Sequence, residues 1–386
     1  MKQKSYSYIE DSHRVKGLYD AILTRDCKDA ISLSVITPTF NASSYVNRFF
    51  KYLKLLGEVV NNVELILIDG GSYDNTLELA KDLFGKEKLC GKIVLAKGAD
   101  VSTARNLGLL LSSGKYVIFF DIDDIPLPRG FAELLQLIDA HNANVAFGKL
   151  MVYDKVLKKI VYVTPIKNLQ IMRGEDLLKH IIRSPCVSYR NSFDLRVYQA
   201  IYSRDFLRSR NILFTWGSVS HEDFEFLVKI LTNSDSILLV PRYVYIYLAN
   251  PQSVRINRVH DGLETLKRVE TYLDQAGISK PWGKLVILQD ISSMLNLYLR
   301  CLLLDCKIEE GLQKFIYAEY NDLLANYIEY VRMLMKCCLS RDNISLAGLF
   351  KVLKYAMMIL PYQYLAKRRS TLHRFTLLRT LVEKLS

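Results

Sequence analysis

Two carboxylates spaced two residues apart at the end of an apolar run are the first chemistry this chain offers. In Tyr116-Val-Ile-Phe-Phe120, followed by Asp121-Ile122-Asp123-Asp124, the run reads as a buried strand. Asp121 and Asp123, at i and i+2, then present their side chains on the same face. Like charges so close oppose each other's ionisation unless a cation lies against them, and an all-oxygen donor set selects Mg²⁺ or Mn²⁺. An Asp-x-Asp taken alone fits a solvated acidic turn equally well, because Asp is common where strands end. A second acidic group, His221-Glu222-Asp223-Phe224-Glu225, follows Trp216-Gly217 and opens an apolar helical run from Phe226 to Leu231. Acids at a helix start complement the macrodipole, which is the plain structural account of that group. His221 has no second histidine at metal-ligand spacing, and the other five histidines form no cluster.

The elements that must position these residues are legible over the first 150 positions. Leu33 to Thr37 reads as a strand stopped by Pro38. Asn41, Ser43 and Ser44 offer N-caps to a helix whose Tyr45, Phe49, Tyr52, Leu53 and Leu56 recur at helical spacing before Gly57. Val63 to Ile68 is a second strand, turned by Asp69-Gly70-Gly71-Ser72, with Asp74 or Asn75 capping a helix to about Phe84. Lys92 to Leu95 makes a short third strand; Ser102 opens a helix that ends by Gly114, and Tyr116 to Phe120 is the fourth strand. Short β-branched runs alternating with helices predict a parallel sheet covered on both faces. Right-handed crossovers then bring the carboxyl ends of the strands to one edge, where ligands bind in such sheets. An Asp closing a buried strand, as Asp69 does, either caps its own turn or meets that ligand. Beyond residue 150 a partly stranded region runs to about Leu248, followed by a mostly helical remainder from His260.

Composition bounds the classes. Half of the 386 residues are apolar, enough for a sizeable core. Seven scattered cysteines, Cys27, Cys90, Cys186, Cys301, Cys306, Cys337 and Cys338, show no C-x-x-C spacing, so a reducing, cytosolic setting is expected. Residues 1–16 carry no apolar signal core, and no stretch supplies about 18 uncharged apolar residues, so neither a secretory signal nor a transmembrane helix is expected. The net charge of +12 is lopsided. Residues 1–150 hold 18 basic and 18 acidic residues, whereas 341–386 hold nine basic and two acidic, or +7. Residues 361–386, with Lys367, Arg368, Arg369, Arg374 and Arg379 among leucines, read as a basic amphipathic helix. It fits an anionic membrane surface or a core-docked helix with a solvated basic side.

Four segments in order, Leu33 to Asn41, Glu64 to Thr76, Val101 to Gly108 and Gly114 to Asp124, resemble family 2 glycosyltransferases. The likeness is strong over residues 32–150 and weaker over 195–255. It implies a GT-A type α/β fold, Rossmann-like, with a mixed, mostly parallel sheet. It also implies a nucleotide-diphosphate sugar donor, a divalent metal (Mg²⁺ or Mn²⁺) at Asp121 and Asp123, and inversion in a single displacement. By the same resemblance, Pro38 and Thr39 line the base pocket, Asp69 bonds the base or ribose, and Arg105 faces the nucleotide; Asp223 is the general base, with Glu222 beside it positioning the acceptor. Tyr245, Tyr247, Ser253 and Arg255 resemble a late segment that closes over the diphosphate, although packing of a loop accounts for them as well. The family's usual Asp-Gly-Ser-Thr-Asp stands here as Gly70-Gly-Ser72-Tyr73-Asp74, which alters the surroundings of the base.

The implied organisation is an N-terminal extension (1–30), a GT-A domain (31–255, its nucleotide half 31–150 and acceptor half 151–255) and a helical C-terminal region (256–386). The expected partners are the donor, a saccharide or lipid-linked saccharide acceptor, and an anionic membrane through 361–386, with no nucleic acid. The expected location is the cytoplasm, or peripherally the inner face of the plasma membrane, in surface polysaccharide or glycolipid synthesis. Two rivals stay open. A nucleotidyltransferase shares the α/β core, but Pro38 to Ser44 has no Gly and no Lys to hold a triphosphate. A basic nucleic-acid-binding protein would leave the aspartates at the strand end without a role.

Overall fold

The computed structural model describes residues 17, 19–27, 29–187, 195–218, 221–249 and 258–277. Strands β2 (Leu33–Thr39), β3 (Val63–Asp69), β4 (Cys90–Leu95) and β5 (Tyr116–Phe119) are parallel, in the order β4-β3-β2-β5, as the crossovers require. Their inward residues, among them Val35, Ile36, Ile66, Leu67, Val117 and Ile118, are fully buried on both faces of the sheet. Helices α1 (Ser43–Gly57), α2 (Thr76–Lys86) and α3 (Val101–Leu111) make the crossovers. Helix α1 buries Val46, Phe49, Phe50, Leu53 and Leu56, the apolar stripe that its spacing predicts.

The caps differ from expectation. Neither Asn41 nor a serine caps α1; Ala42 does, because Asn41 takes a left-handed conformation and accepts from the Tyr73 amide. Asp74 bonds the amides of both Ser43 and Thr76, so one carboxylate serves the starts of two helices. Two further differences concern residues assigned to an N-terminal extension. β1 (Asp20–Arg25) lies antiparallel on β4 as an edge strand, and Cys27 is joined to Cys90 in a disulfide. The reducing setting expected from the scattered cysteines does not anticipate this bridge. A pair 63 residues apart leaves no local spacing signature, so the sequence could not show it.

Past β5 the sheet turns mixed. β6 (Ile125–Pro126) is followed by α4 (Pro128–Ala140), then β7 (Val145–Asp154), β8 (Lys159–Val163) and β9 (Gln170–Met172). α5 (Gly174–Val187), a 3-10 turn (Val197–Gln199), β10 (Ala200–Ser203) and α6 (Arg204–Ser209) lead to α7 (Glu222–Asn233) and β11 (Ile237–Ala249). β10 fits antiparallel between β5 and β7, and β11 runs parallel to β7. The mixed, mostly parallel α/β sheet implied by the sequence is thus present.

Residues Met1–Leu178 with Asp194–Ser253 form one compact unit. The other comprises Lys179–Phe193 and Val254–Ser386; within it α8 (Arg258–Gln275) buries Thr265, Val269 and Leu273 at four-residue spacing, one helical face. Ser253, Arg255 and the basic segment 361–386 lie outside the described residues. Among the described residues, no helix is long and apolar enough to cross a membrane.

Candidate active site

Strand β5 ends at Phe119, and the chain turns through Asp121 to Asp124 at the carboxyl edge of the sheet, beside Thr39 and Asp69 on its parallel neighbours. Above this turn sits Arg105, in the first half of α3 and only 4% exposed. Its Nη2 donates to both oxygens of Asp121, at 3.1 and 3.3 Å, and its Nη1 to Oε1 of Glu222 at 3.2 Å. The guanidinium lies over the ring of Phe214, 5.3 Å from its centroid, and Phe214 stacks on Phe226 at 4.0 Å with Phe119 edge-on to both. Burial opposes the arginine's charge, but Asp121, Glu222 and Asp223 outweigh it and raise its pKa above the usual value. Three acids that the sequence singled out, Asp121, Glu222 and Asp223, therefore act together on one buried cation, Arg105.

The helix is held there by its own motif. Gly108 faces Ile36, and a Cβ at that position would come within 2.2 Å of the isoleucine Cγ2, so only glycine lets α3 approach β2 this closely. Asn106 bonds both the N–H and the C=O of Phe214 at 2.9 Å, and the Ser102 hydroxyl donates to the Ser218 carbonyl. The loop leading to Glu222 and Asp223 is thereby fixed to the same helix as Arg105.

The two acids at the start of α7 are driven apart. For Glu222, burial and the Asp223 charge raise the pKa despite Arg105. For Asp223, burial works the same way but is overcome by Arg196, Arg105 and His221, which lower its pKa below the ordinary value. Arg196 approaches Asp223 at 3.6 Å, and the Asp223 side chain keeps 21% exposure, so the carboxylate is partly open to solvent. Glu225 serves the fold instead. Fully buried, it accepts from the Thr215 hydroxyl and pairs with Lys229 at 3.0 Å.

In the Asp turn the carboxylates are unequally supplied. Asp121 is committed to Arg105. Burial, then the charge of Asp121, raises the pKa of Asp123. Asp124, 3% exposed, is pushed up to about 8 by burial and by Asp121. Its Oδ1 accepts from the Leu248 amide at 2.8 Å, while its Oδ2 is buried with no partner. A buried carboxylate oxygen without a donor beside two more carboxylates fits a cation-binding turn. Among the described residues, however, no group of three His, Cys, Asp or Glu is arranged to enclose a metal.

Asp69 holds its own turn. Its Oδ1 accepts from the amides of Gly71 and Ser72 and its Oδ2 from the Ser72 hydroxyl, so three of about four acceptor positions are spent on the turn. Thr39 is 6% exposed with its hydroxyl unpartnered, as is that of Thr37, and Pro38 is half-buried between them. Exposed Phe40 and Tyr73 meet edge to face at 5.9 Å beside this strand end. Tyr245 is no loop residue: fully buried in β11, its hydroxyl accepts from the Asp121 amide, and its ring stacks on Tyr198, which stacks in turn on Tyr247. Asp124, Arg196 and Tyr198 were missed as site residues. Asp124 carried a signal as the third acid of its run; the other two had none.

This fold is the GT-A fold of glycosyltransferases. Among known proteins, the family described as "Glycosyl transferase family 2" matches residues 34–198 of this chain. The chain is 25% identical over 256 residues to a cholesterol galactosyltransferase of Borreliella burgdorferi, covering 64% of this chain and 68% of that protein. It is 26% identical over 225 residues to the poly(ribitol-phosphate) β-N-acetylglucosaminyltransferase TarP of Staphylococcus aureus, covering 56% of this chain and 63% of TarP. Among solved structures, S. aureus TarS 1-349 in complex with UDP-GlcNAc superposes with a TM-score of 0.54 at 18% identity, covering 80% of this chain and 81% of that one.

Proposed function

We propose that the domain transfers a sugar from a nucleotide-diphosphate sugar to the hydroxyl of a saccharide or lipid-linked acceptor, with inversion at the anomeric carbon. The observation that carries this reading is the unequal placing of the two α7 acids: Asp223 lies beside Arg196 with its side chain partly exposed and its pKa lowered, while Glu222 is tied to Arg105 and its pKa is raised. In the reaction, Asp223 accepts the acceptor's hydroxyl proton as that oxygen bonds to the anomeric carbon, and the bond to the diphosphate breaks with its electron pair on the leaving group. Glu222 and Arg105 hold the base in place, and Arg105 also fixes Asp121 beneath the donor.

Asp123, with Asp124 behind it, is the residue that would hold a divalent cation, Mg²⁺ or Mn²⁺. Such an ion, when bound, supplies positive charge to the departing diphosphate. The unpartnered Thr39 hydroxyl and the half-buried Pro38 suit the nucleoside, and the exposed rings of Phe40 and Tyr73 offer faces for a base. UDP-sugars are the first donors to screen, given the UDP-GlcNAc named for TarS 1-349 and the acetylglucosaminyl transfer named for TarP. The lipid and polymer acceptors named for the curated relatives support a proposed role in cell-surface glycolipid or polysaccharide synthesis.

Asp223→Asn tests the assignment, because it keeps the shape and removes the base. Transfer should fall by about 10² to 10⁴ while nucleotide-sugar affinity, read by calorimetry, stays within a few-fold. Lost donor binding, or transfer retained within tenfold, refutes the role.

A further inference from the structure

The hairpin of β7 and β8 is not used by the chemistry above. Its turn carries Lys155-Val156-Leu157-Lys158-Lys159, and Asp154 closes it by accepting from the amides of Val156 and Leu157, both at 2.8 Å. Val156 is 62% and Leu157 58% exposed, and the next two apolar residues, Ile160 and Val161, are also exposed. Four neighbouring apolar side chains at the tip of an edge hairpin, against water, are a feature that soluble surfaces avoid. Charge surrounds them in one sign. Residues 149–173 contain Lys149, Lys155, Lys158, Lys159, Lys167 and Arg173 against the single acid Asp154, whose carboxylate is taken by the turn. Lysines guarding an edge strand would account for the charge but not for the apolar pair at the tip.

The hairpin also lies next to the site. Tyr153 and Asp154 pair with Leu248 and Ala249, and the Leu248 amide is the one that bonds Asp124. The Lys155 ammonium sits 6.0 Å over the ring of Tyr45 in α1, on the Asp123 side of the turn. An apolar tip ringed by lysines is complementary to one kind of surface, an anionic bilayer, where side chains enter the acyl boundary and ammonium groups stay with the phosphates.

We propose that the β7–β8 hairpin is a membrane-contact element: Val156 and Leu157 enter the interface of an anionic bilayer and Lys158 and Lys159 bind its headgroups, which holds the Asp turn above the lipid surface. For the transferase reading on which its purpose rests, this selects an acceptor presented at a membrane. The contact is separate from segment 361–386, which stays intact in every variant tested.

The test is flotation of the full-length chain with vesicles of phosphatidylcholine alone and of phosphatidylcholine mixed with phosphatidylglycerol. Val156→Ser with Leu157→Ser should lower partition into anionic vesicles roughly tenfold. Lys158→Gln with Lys159→Gln should lower it roughly 25-fold, about fivefold for each charge. All four residues are exposed, three in the turn and Lys159 at the start of β8, so melting midpoints and nucleotide-sugar binding without vesicles should match the parent. Wild-type partition in the serine variant overturns the proposal. So does a change confined to solution mass by light scattering, which would mean a second copy of the chain seats there, or a fall in melting midpoint without loss of flotation, which would mean the chain's own residues cover the tip. Failure of every sample to bind a nucleotide sugar would instead count against the transferase reading and leave the vesicle result standing.

Discussion

Replacing Arg105 with Met keeps most of the volume and removes the one buried cation that joins the donor-side and acceptor-side acids. Three hydrogen bonds disappear, to both oxygens of Asp121 and to Glu222, and three carboxylates are left facing one another over an aromatic floor. Taking one partner from a buried ion pair costs about 3–5 kcal/mol. Asp121 keeps 26% and Glu222 13% side-chain exposure, so water recovers part of that, and about 3 kcal/mol is expected. For a unit of this size the melting midpoint should fall by roughly 6–12 °C. The deficit should also depend on pH. The Glu222 carboxyl already lies above its ordinary value, and without Arg105 it rises further. A carboxyl whose pKa is higher folded than unfolded carries no penalty below the unfolded value and its full penalty above the folded one. The variant should therefore recover part of its loss between about pH 8 and about pH 5. Thermal melts at both pH values, with a double-mutant cycle pairing Arg105→Met and Glu222→Gln, provide the measurement. A midpoint within about 2 °C of the parent at both pH values, or additivity within about 0.5 kcal/mol, would refute the account of Arg105 as the joint of the site.

Two further outcomes follow from the scaffold. Burial works to raise the pKa of Asp74, but bonds from Thr76 and Ser43 outweigh it and lower the value to about 2. Its stabilisation is thus present above the ordinary value of 3.8 and lost as pH falls toward about 2, and Asp74→Asn should cost about 1 kcal/mol in urea titrations at neutral pH and nothing at the acid end. Reduction of Cys27–Cys90, which closes a separation of 63 residues, should lower stability by roughly 3–4 kcal/mol and expose two additional thiols to alkylation. Equal melts with and without reductant would show that the bridge carries none of that stability.

What the sequence made legible was local. Apolar runs of four to seven residues, the turn Asp69-Gly70-Gly71 and the acids after Phe120 each write their structure in neighbouring positions, so strands β2 to β5 and their common edge could be read directly. What it hid was contact between distant positions. Arg105 and Glu222 are 117 residues apart, and nothing about either residue alone says they touch. The antiparallel insertion of β10, the Tyr198, Tyr245 and Tyr247 stack and the pairing of β1 with β4 are equally non-local. Asp69 fell between these cases, because its type suits both a turn and a ligand; only the geometry shows Gly71 and Ser72 taking its oxygens.

The motif Ala104-Arg105-Asn106-Leu107-Gly108 shows how one helical turn can combine those demands. Ala104 and Leu107 pack with Ile66, Ile68 and Val94, which anchors α3 to the sheet. Gly108 sets how close the helix comes to Ile36. Asn106 faces the other way and satisfies both backbone groups of Phe214, the residue whose ring lies beneath the guanidinium. With the helix fixed on the sheet side and the loop fixed on the helix, the side chain at 105 has little freedom left, and its planar fork bridges Asp121 and Glu222 without adjustment of either element. A lysine there could place its ammonium near one acid or the other but could not bond both oxygens of Asp121 and Glu222 together. The residue type at 105 is thus dictated by two carboxylates on different elements, while the four residues around it hold it where both can be reached.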